Sequence, residues 1–116
     1  MKKFLVLYTM PIAGLEAWMQ KPEEERKGME EKMRADWVTW MRAHASALKE
    51  TGGAGKTKRV TATGIEDVKN NIMLYSMIEA PSHEEASQLF VGHPHLGIPE
   101  ASIDIMPVNE LPGMTG

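Results

Sequence analysis

From Asn71 to Glu79 the chain reads Asn-Ile-Met-Leu-Tyr-Ser-Met-Ile-Glu, and an extended backbone gives this segment two apolar faces. Side chains alternate across a strand, so Ile72, Leu74 and Ile78 point one way while Met73, Tyr75 and Met77 point the other. A strand that is apolar on both sides belongs inside a sheet covered on both sides. Lys3 to Thr9 has the same character, with Phe4, Val6 and Tyr8 on one face and Leu5 and Leu7 on the other. The chain has only 116 residues, enough for one domain with a single small core. Covering a sheet twice from that supply requires help from outside the chain.

Local signals place the other elements. Met1-Lys2-Lys3 and the apolar residues after it could open a secretory leader. The run is short, Thr9 and Pro11 interrupt it, and Gly14-Leu15-Glu16-Ala17 is a poor cleavage site, so the segment reads as the first strand. Met10 to Lys21 reads as a loop broken by Pro11 and Gly14. It nevertheless carries Ile12, Leu15, Trp18 and Met19, which must pack on its own sheet, on a dimer mate or, as a lid, over a pocket. A long helix opens at Pro22, with Glu23, Glu24 and Glu25 at the positive end of its dipole. Met29, Met33, Trp37, Trp40, Met41, His44 and Leu48 recur at spacings of three and four, and Gly52-Gly53 reads as its stop.

Lys56 to Thr63 is the second strand, its lysines and arginine marking a sheet edge, and Gly64 to Lys69 is a polar connection into the third. Gly52-Gly53-Ala54-Gly55-Lys56-Thr57 is no phosphate loop: Glu50 stands where the first glycine is needed, and the segment follows a helix. A second helix opens with a capping box, Ser82 to Glu85, and ends at Gly92. Ser102 to Val108 is the fourth strand, with Ile103 and Ile105 opposite Ser102, Asp104 and Met106. The tail from Asn109 to Gly116 is expected to be loose.

The order βαββαβ, in one domain spanning residues 1–116, predicts the ferredoxin-like α+β fold: a four-stranded antiparallel sheet with both helices on one face. The other face is left bare, about 400 Å² of methionine, tyrosine and aliphatic side chains, near the upper limit for a soluble monomer. Two such faces meeting would form a dimeric α/β-barrel, so the expected partner is a second copy. Thirteen basic against 16 acidic residues are interspersed, for a net charge of −3, which argues against nucleic acid or an anionic membrane as partner. No stretch reaches the ~20 apolar residues of a membrane span. With no cysteine, disulfides, thiolate catalysis and cysteine-zinc sites are excluded, and a reducing, cytoplasmic setting suits the composition.

Chemistry concentrates in Gly92-His93-Pro94-His95-Leu96 and the strand that follows. Imidazole titrates near neutrality, so His95 with a nearby carboxylate is a serviceable general acid/base, and Asp104 is the natural carboxylate, beside Ser102 on the less apolar face of its strand. The competing reading is a turn in which His95 caps the second helix or bonds a loop carbonyl, while Asp104 bonds an edge residue. His93 and His95 lack a third ligand at metal-binding spacing, so no metal and no cofactor is expected. Tyr8, Trp40, Tyr75, His93 and Ser102 are the candidate ligand contacts. Trp37 and Trp40 suit the core, His44 a structural place at the edge of the helix stripe, and His83 the solvated surface.

Met1-Lys2-Lys3-Phe4-Leu5-Val6-Leu7-Tyr8, Trp37-Val38-Thr39-Trp40-Met41 with Gly52-Gly53, and above all His93-Pro94-His95-Leu96 followed by Ser102-Ile103-Asp104-Ile105-Met106-Pro107 resemble the YCII-related (DGPF-domain) family. The resemblance covers Met1 to Pro112. It implies a dimeric α/β-barrel with a small-molecule pocket between sheet and helix, and for some members an enzymatic role through a histidine and a carboxylate. It supplies no common substrate. Two classes of function remain: an enzyme that moves a proton or eliminates a group on a small organic acid or aromatic, with His95 as base, or a non-catalytic dimeric metabolite-binding or structural module. Gly64-Ile65-Glu66-Asp67-Val68-Lys69 departs from the Asp-Gly-Pro-Phe signature, so the resemblance is to a branch without that loop.

Overall fold

The computed structural model describes residues 1–114. In chain order the elements are β1 (Lys2–Thr9), α1 (Ile12–Met19), α2 (Glu23–Ala43), β2 (Leu48–Gly53), β3 (Thr57–Thr61), β4 (Gly64–Val68), β5 (Ile72–Ala80), α3 (His83–Gln88), a 3₁₀ turn (Pro94–Gly97) and β6 (Ser102–Pro107). Four strands form an antiparallel sheet in the order β2-β5-β1-β6, while β3 and β4 pair only with each other. With α2 and α3 packed on one face, this is the α+β, ferredoxin-like architecture of dimeric α/β-barrels.

Register decides which side chains share a face. Phe4 pairs with Ile78 and Pro107, Val6 with Ser76 and Ile105, and Tyr8 with Leu74 and Ile103. These lie on the helix side, where Phe4, Val6, Tyr8 and Ile78 are buried with Ala86 and Phe90 of the second helical segment. The intervening residues, Leu5 with Met77 and Met106, and Leu7 with Tyr75 and Asp104, lie on the other side. No helix among the described residues covers that side, and Leu5, Leu7, Met73, Tyr75, Met77 and Met106 remain half-buried there.

Three segments differ from the expectation. Residues 12–19 form helix α1 rather than a loop. Pro11 sits at its N-cap, and alanines and leucine outweigh the single Gly14 in propensity. Helix α2 ends at Ala43, well before the two glycines. His44 closes it by donating from both its main-chain N–H (3.1 Å) and its ring Nδ1 (2.9 Å) to the Trp40 carbonyl, and the chain turns back through Ala47 N–H and Leu48 N–H onto the His44 carbonyl. The sheet's second strand is therefore Leu48–Gly53. Gly52 serves close packing: a Cβ there would lie 2.8 Å from Cε1 of Tyr75, whose ring lies against the strand.

The strand expected over Lys56–Thr63 exists as β3, but outside the sheet, and the connection after it is β4. A two-residue loop, Ala62-Thr63, with Gly64 at φ 138°, folds β3 and β4 into a ribbon. Ser82 caps α3 as the capping box requires, its Oγ accepting from Glu85 N–H at 3.1 Å. His83 does more than sit in solvent. Its ring stacks on Phe4 at 5.4 Å and its Nε2 donates to the Ile105 carbonyl at 2.8 Å, tying α3 to the sheet. Beyond β6, Asn109–Met114 holds neither helix nor strand, and the rest of the expected tail, Thr115 and Gly116, lies outside the described residues.

The molecule measures 52 × 45 × 19 Å and exposes 8439 Å². A folded chain of 12.9 kDa normally exposes roughly 6,300 Å². Its radius of gyration, 16.4 Å, likewise exceeds the ~13 Å of a compact chain of this length. No helix among the described residues is long and apolar enough to cross a membrane.

Candidate functional site

Gly92, at φ 79°, lets the chain leave α3 and swing His93 into the protein. Pro94 then starts the 3₁₀ turn, and His93 caps it: its Nδ1 accepts from the His95 main-chain N–H at 2.9 Å. Both imidazoles end up inside, His93 1% exposed and His95 2%. Around them stand Tyr8 from β1, Trp37 and Trp40 from α2, and Phe90. The His93 ring meets Trp37 and Trp40 edge-on, each at 4.4 Å between centroids, and lies 5.4 Å from Tyr8. His95 lies edge-on to Tyr8 at 5.6 Å. These aromatic contacts, each worth ~0.5–1.5 kcal/mol beyond burial, knit the turn to β1 and α2.

Hydrogen bonding fixes the tautomers. Because Nδ1 of His93 is an acceptor, its neutral ring carries the proton on Nε2, a buried atom with no hydrogen-bond partner among the described residues. Burial, together with repulsion from positive charge on His95 and then His44, lowers its pKa from 6.5 to about 4. His95 donates Nε2–H to the Thr9 carbonyl at 2.8 Å, which leaves Nδ1 as the ring's lone pair. Burial lowers the His95 pKa too, with the Thr9 bond opposing. Both rings are neutral near pH 7. Burial likewise raises the pKa of Tyr8, against a 2.8 Å hydrogen bond with Ser76, which in turn meets Thr51 at 2.9 Å.

The expected His95–Asp104 pair does not form. Asp104 pairs with Leu7 and lies exposed on the open side of the sheet, whereas His95 packs against Tyr8 on the helix side, so the sheet stands between them. The partner of His95 is the main-chain carbonyl of Thr9, at the end of β1 rather than in a loop. Of the candidate contacts, Tyr8, Trp40 and His93 come together with His95. Ser102 and Tyr75 lie on the Asp104 side, Ser102 sharing a 2.6 Å hydrogen bond with Thr9 and Tyr75 near Glu50, whose hydrogen bond raises the tyrosine's pKa. Trp37 and Phe90 complete the aromatic enclosure; only their helical spacing marked them, and that spacing equally marks core. Among the described residues, no group of three or more histidine or carboxylate side chains stands close enough to hold a metal ion.

A second feature carried no sequence signal. Between α1 and the root of the β3–β4 ribbon runs a groove of about 970 Å³. Ile12, Leu15, Val68, Ile72 and Met73 supply apolar lining, and Lys56, Lys58 and Lys69 are among its polar residues. Lys69 meets Glu16 at 3.5 Å and Lys58 meets Asp67 at 2.7 Å, while Lys56 forms no ion pair among the described residues. The lid reading of residues 10–21 is thus replaced by a helix that forms one wall of this groove. Trp18 is only half-buried on it, with the Lys21 ammonium 5.7 Å from its ring.

No family model matches the chain, and no curated protein matches it in sequence. Among solved structures the chain is similar to the 5-chloro-2-hydroxyhydroquinone dehydrochlorinase TftG of Burkholderia phenoliruptrix AC1100, determined in complex with 2,5-dihydroxybenzoquinone. The TM-score is 0.56 at 10% identity, over 93% of this chain and 94% of that one. At that identity the likeness is one of fold.

Proposed function

We propose that this protein is a homodimer related to the YCII family that binds a small organic acid in the groove between α1 and the ribbon. The observation that carries this reading is the groove itself: about 970 Å³ lies within the range of small-molecule sites, and its lining sets apolar side chains beside lysines. Lys56, the lining cation without an ion pair among the described residues, is suited to the ligand's carboxylate. A second copy covers the open sheet face, where Leu5, Leu7, Tyr75 and Met77 are half-buried and no helix among the described residues packs.

Benzoate and 4-hydroxybenzoate, with benzyl alcohol as the uncharged control, test the site. The two carboxylates are expected to raise Tm in a concentration-dependent way, by linkage to the folded state alone. Lys56→Met should remove the shift and leave the unliganded Tm unchanged. Equal shifts with benzyl alcohol, or an undiminished shift in Lys56→Met, would overturn the assignment.

One observation favours a catalytic reading as well. A ring whose Nε2–H is anchored on the Thr9 carbonyl, with a pKa that burial lowers, keeps Nδ1 as an unprotonated base near neutral pH, within the enclosure of Tyr8, Trp37 and His93. The TftG activity named above is elimination of chloride, in which a base removes a proton as chloride departs. Incubation with 5-chloro-2-hydroxyhydroquinone while chloride release is followed tests this reading. Turnover that falls about 100-fold or more in His95→Asn supports it; no chloride above the protein-free rate sinks it.

A further inference from the structure

We infer that the β3–β4 ribbon is an arm that clasps a second copy of this chain. Val60 and Ile65 are cross-strand partners near its tip, 74% and 71% exposed, on the ribbon face that also carries the Lys58–Asp67 ion pair. A β-branched pair this exposed is unusual on a free ribbon, where edges carry charge or proline, and a lone two-stranded ribbon has little stability of its own.

The arm is nonetheless held outward by its base. The Asn70 side chain donates to Thr57 Oγ1 at 2.9 Å across the ribbon and accepts from Ile72 N–H at 3.0 Å at the start of β5. Ala54 N–H, donating to the Met73 carbonyl at 2.9 Å, extends the β2–β5 pairing one step past the end of β2. The ribbon therefore prolongs the two strands β2 and β5 beyond the sheet, in a fixed place. Such preorganisation lowers the ordering cost of association.

The surface area suits a second copy as the occupant. The chain exposes 8439 Å², roughly 2,100 Å² more than its mass calls for, whereas a standard interface buries about 800 Å² per partner. Two copies related by a two-fold axis, sheet against sheet, would each send an arm past the end of the sheet and over the other, because an isologous interface repeats every contact. This inference rests on the dimer proposed above and adds the element that closes it.

Sedimentation velocity on the full chain tests both steps separately. Wild type is expected as a dimer at micromolar concentration, and amides of residues 57–68 should exchange more slowly as the dimer forms. Val60→Glu and, independently, Ile65→Lys are expected to raise the dimer dissociation constant about tenfold or more with an unchanged far-UV spectrum, because neither side chain packs in its own subunit. Thr61→Glu, on the ribbon's other face, is expected to have the smaller effect. A wild-type dimer that both tip variants leave intact overturns the arm alone. A wild-type monomer overturns the dimer and the arm together.

Discussion

Between pH 6.5 and 4 the folded protein is expected to lose about 3 kcal/mol of stability through His93. Burial among Trp37, Trp40 and Tyr8 holds the folded pKa below the unfolded value, so the unfolded chain takes the proton first. The stability that His93 contributes as a neutral ring is complete above pH 6.5, declines through the interval and levels off below about 4. His95 acts in the same direction, since burial lowers its pKa as well. Urea unfolding measured across this range should show the decline. His93→Asn is the informative variant, because its Oδ1 can replace Nδ1 as acceptor for the His95 N–H while nothing titrates. Its stability at neutral pH should fall through lost ring contacts, and its pH dependence should flatten. An unchanged slope in that variant would remove His93 as the cause.

Tyr8→Ala is expected to cost about 3–5 kcal/mol, the range for deleting a large buried aromatic side chain. The ring is fully buried and touches Trp37, Phe90, His93 and His95, so its loss opens a cavity at the point where sheet, α2 and the 3₁₀ turn meet. Tyr8→Phe separates the ring from its hydroxyl. Ser76 keeps Thr51 as a partner, so that variant should cost only about 1 kcal/mol. Equal losses in the two variants would mean that the hydroxyl, rather than the ring, holds the junction.

The ferredoxin-like order was legible because it rests on local rules. Alternation over Lys2–Thr9 and Ile72–Ala80, the periodic stripe of α2 and the Ser82 capping box each act within a few residues, and burial follows from them. The same alternation put Asp104 on the open side with Ser102. It could not place His95, since nothing between Gly92 and Ser102 repeats with a period. Only tertiary packing, with the left-handed Gly92 and the Thr9 carbonyl as acceptor, turns both histidines to the helix side, and a main-chain acceptor leaves no mark in a sequence.

Helix α2 and the strand after it show the same limit. Leu48 continues the helical spacing and Gly52-Gly53 reads as a stop, but the helix yields at His44 because β5 pairs with Leu48 and, past a bulge at Lys49, with Glu50–Gly53, and Tyr75 requires a residue without a side chain at Gly52. The groove and the ribbon likewise depend on where distant segments meet: Glu16 of α1 meets Lys69, and Met10 N–H bonds the Asn71 carbonyl just past the end of β1. Sequence by itself determined the elements whose hydrogen bonds and apolar faces are set within a turn or a strand pair. Tertiary structure decided which face each histidine takes, where the lysines gather and which strands leave the sheet, because those outcomes balance contacts between residues far apart in the chain.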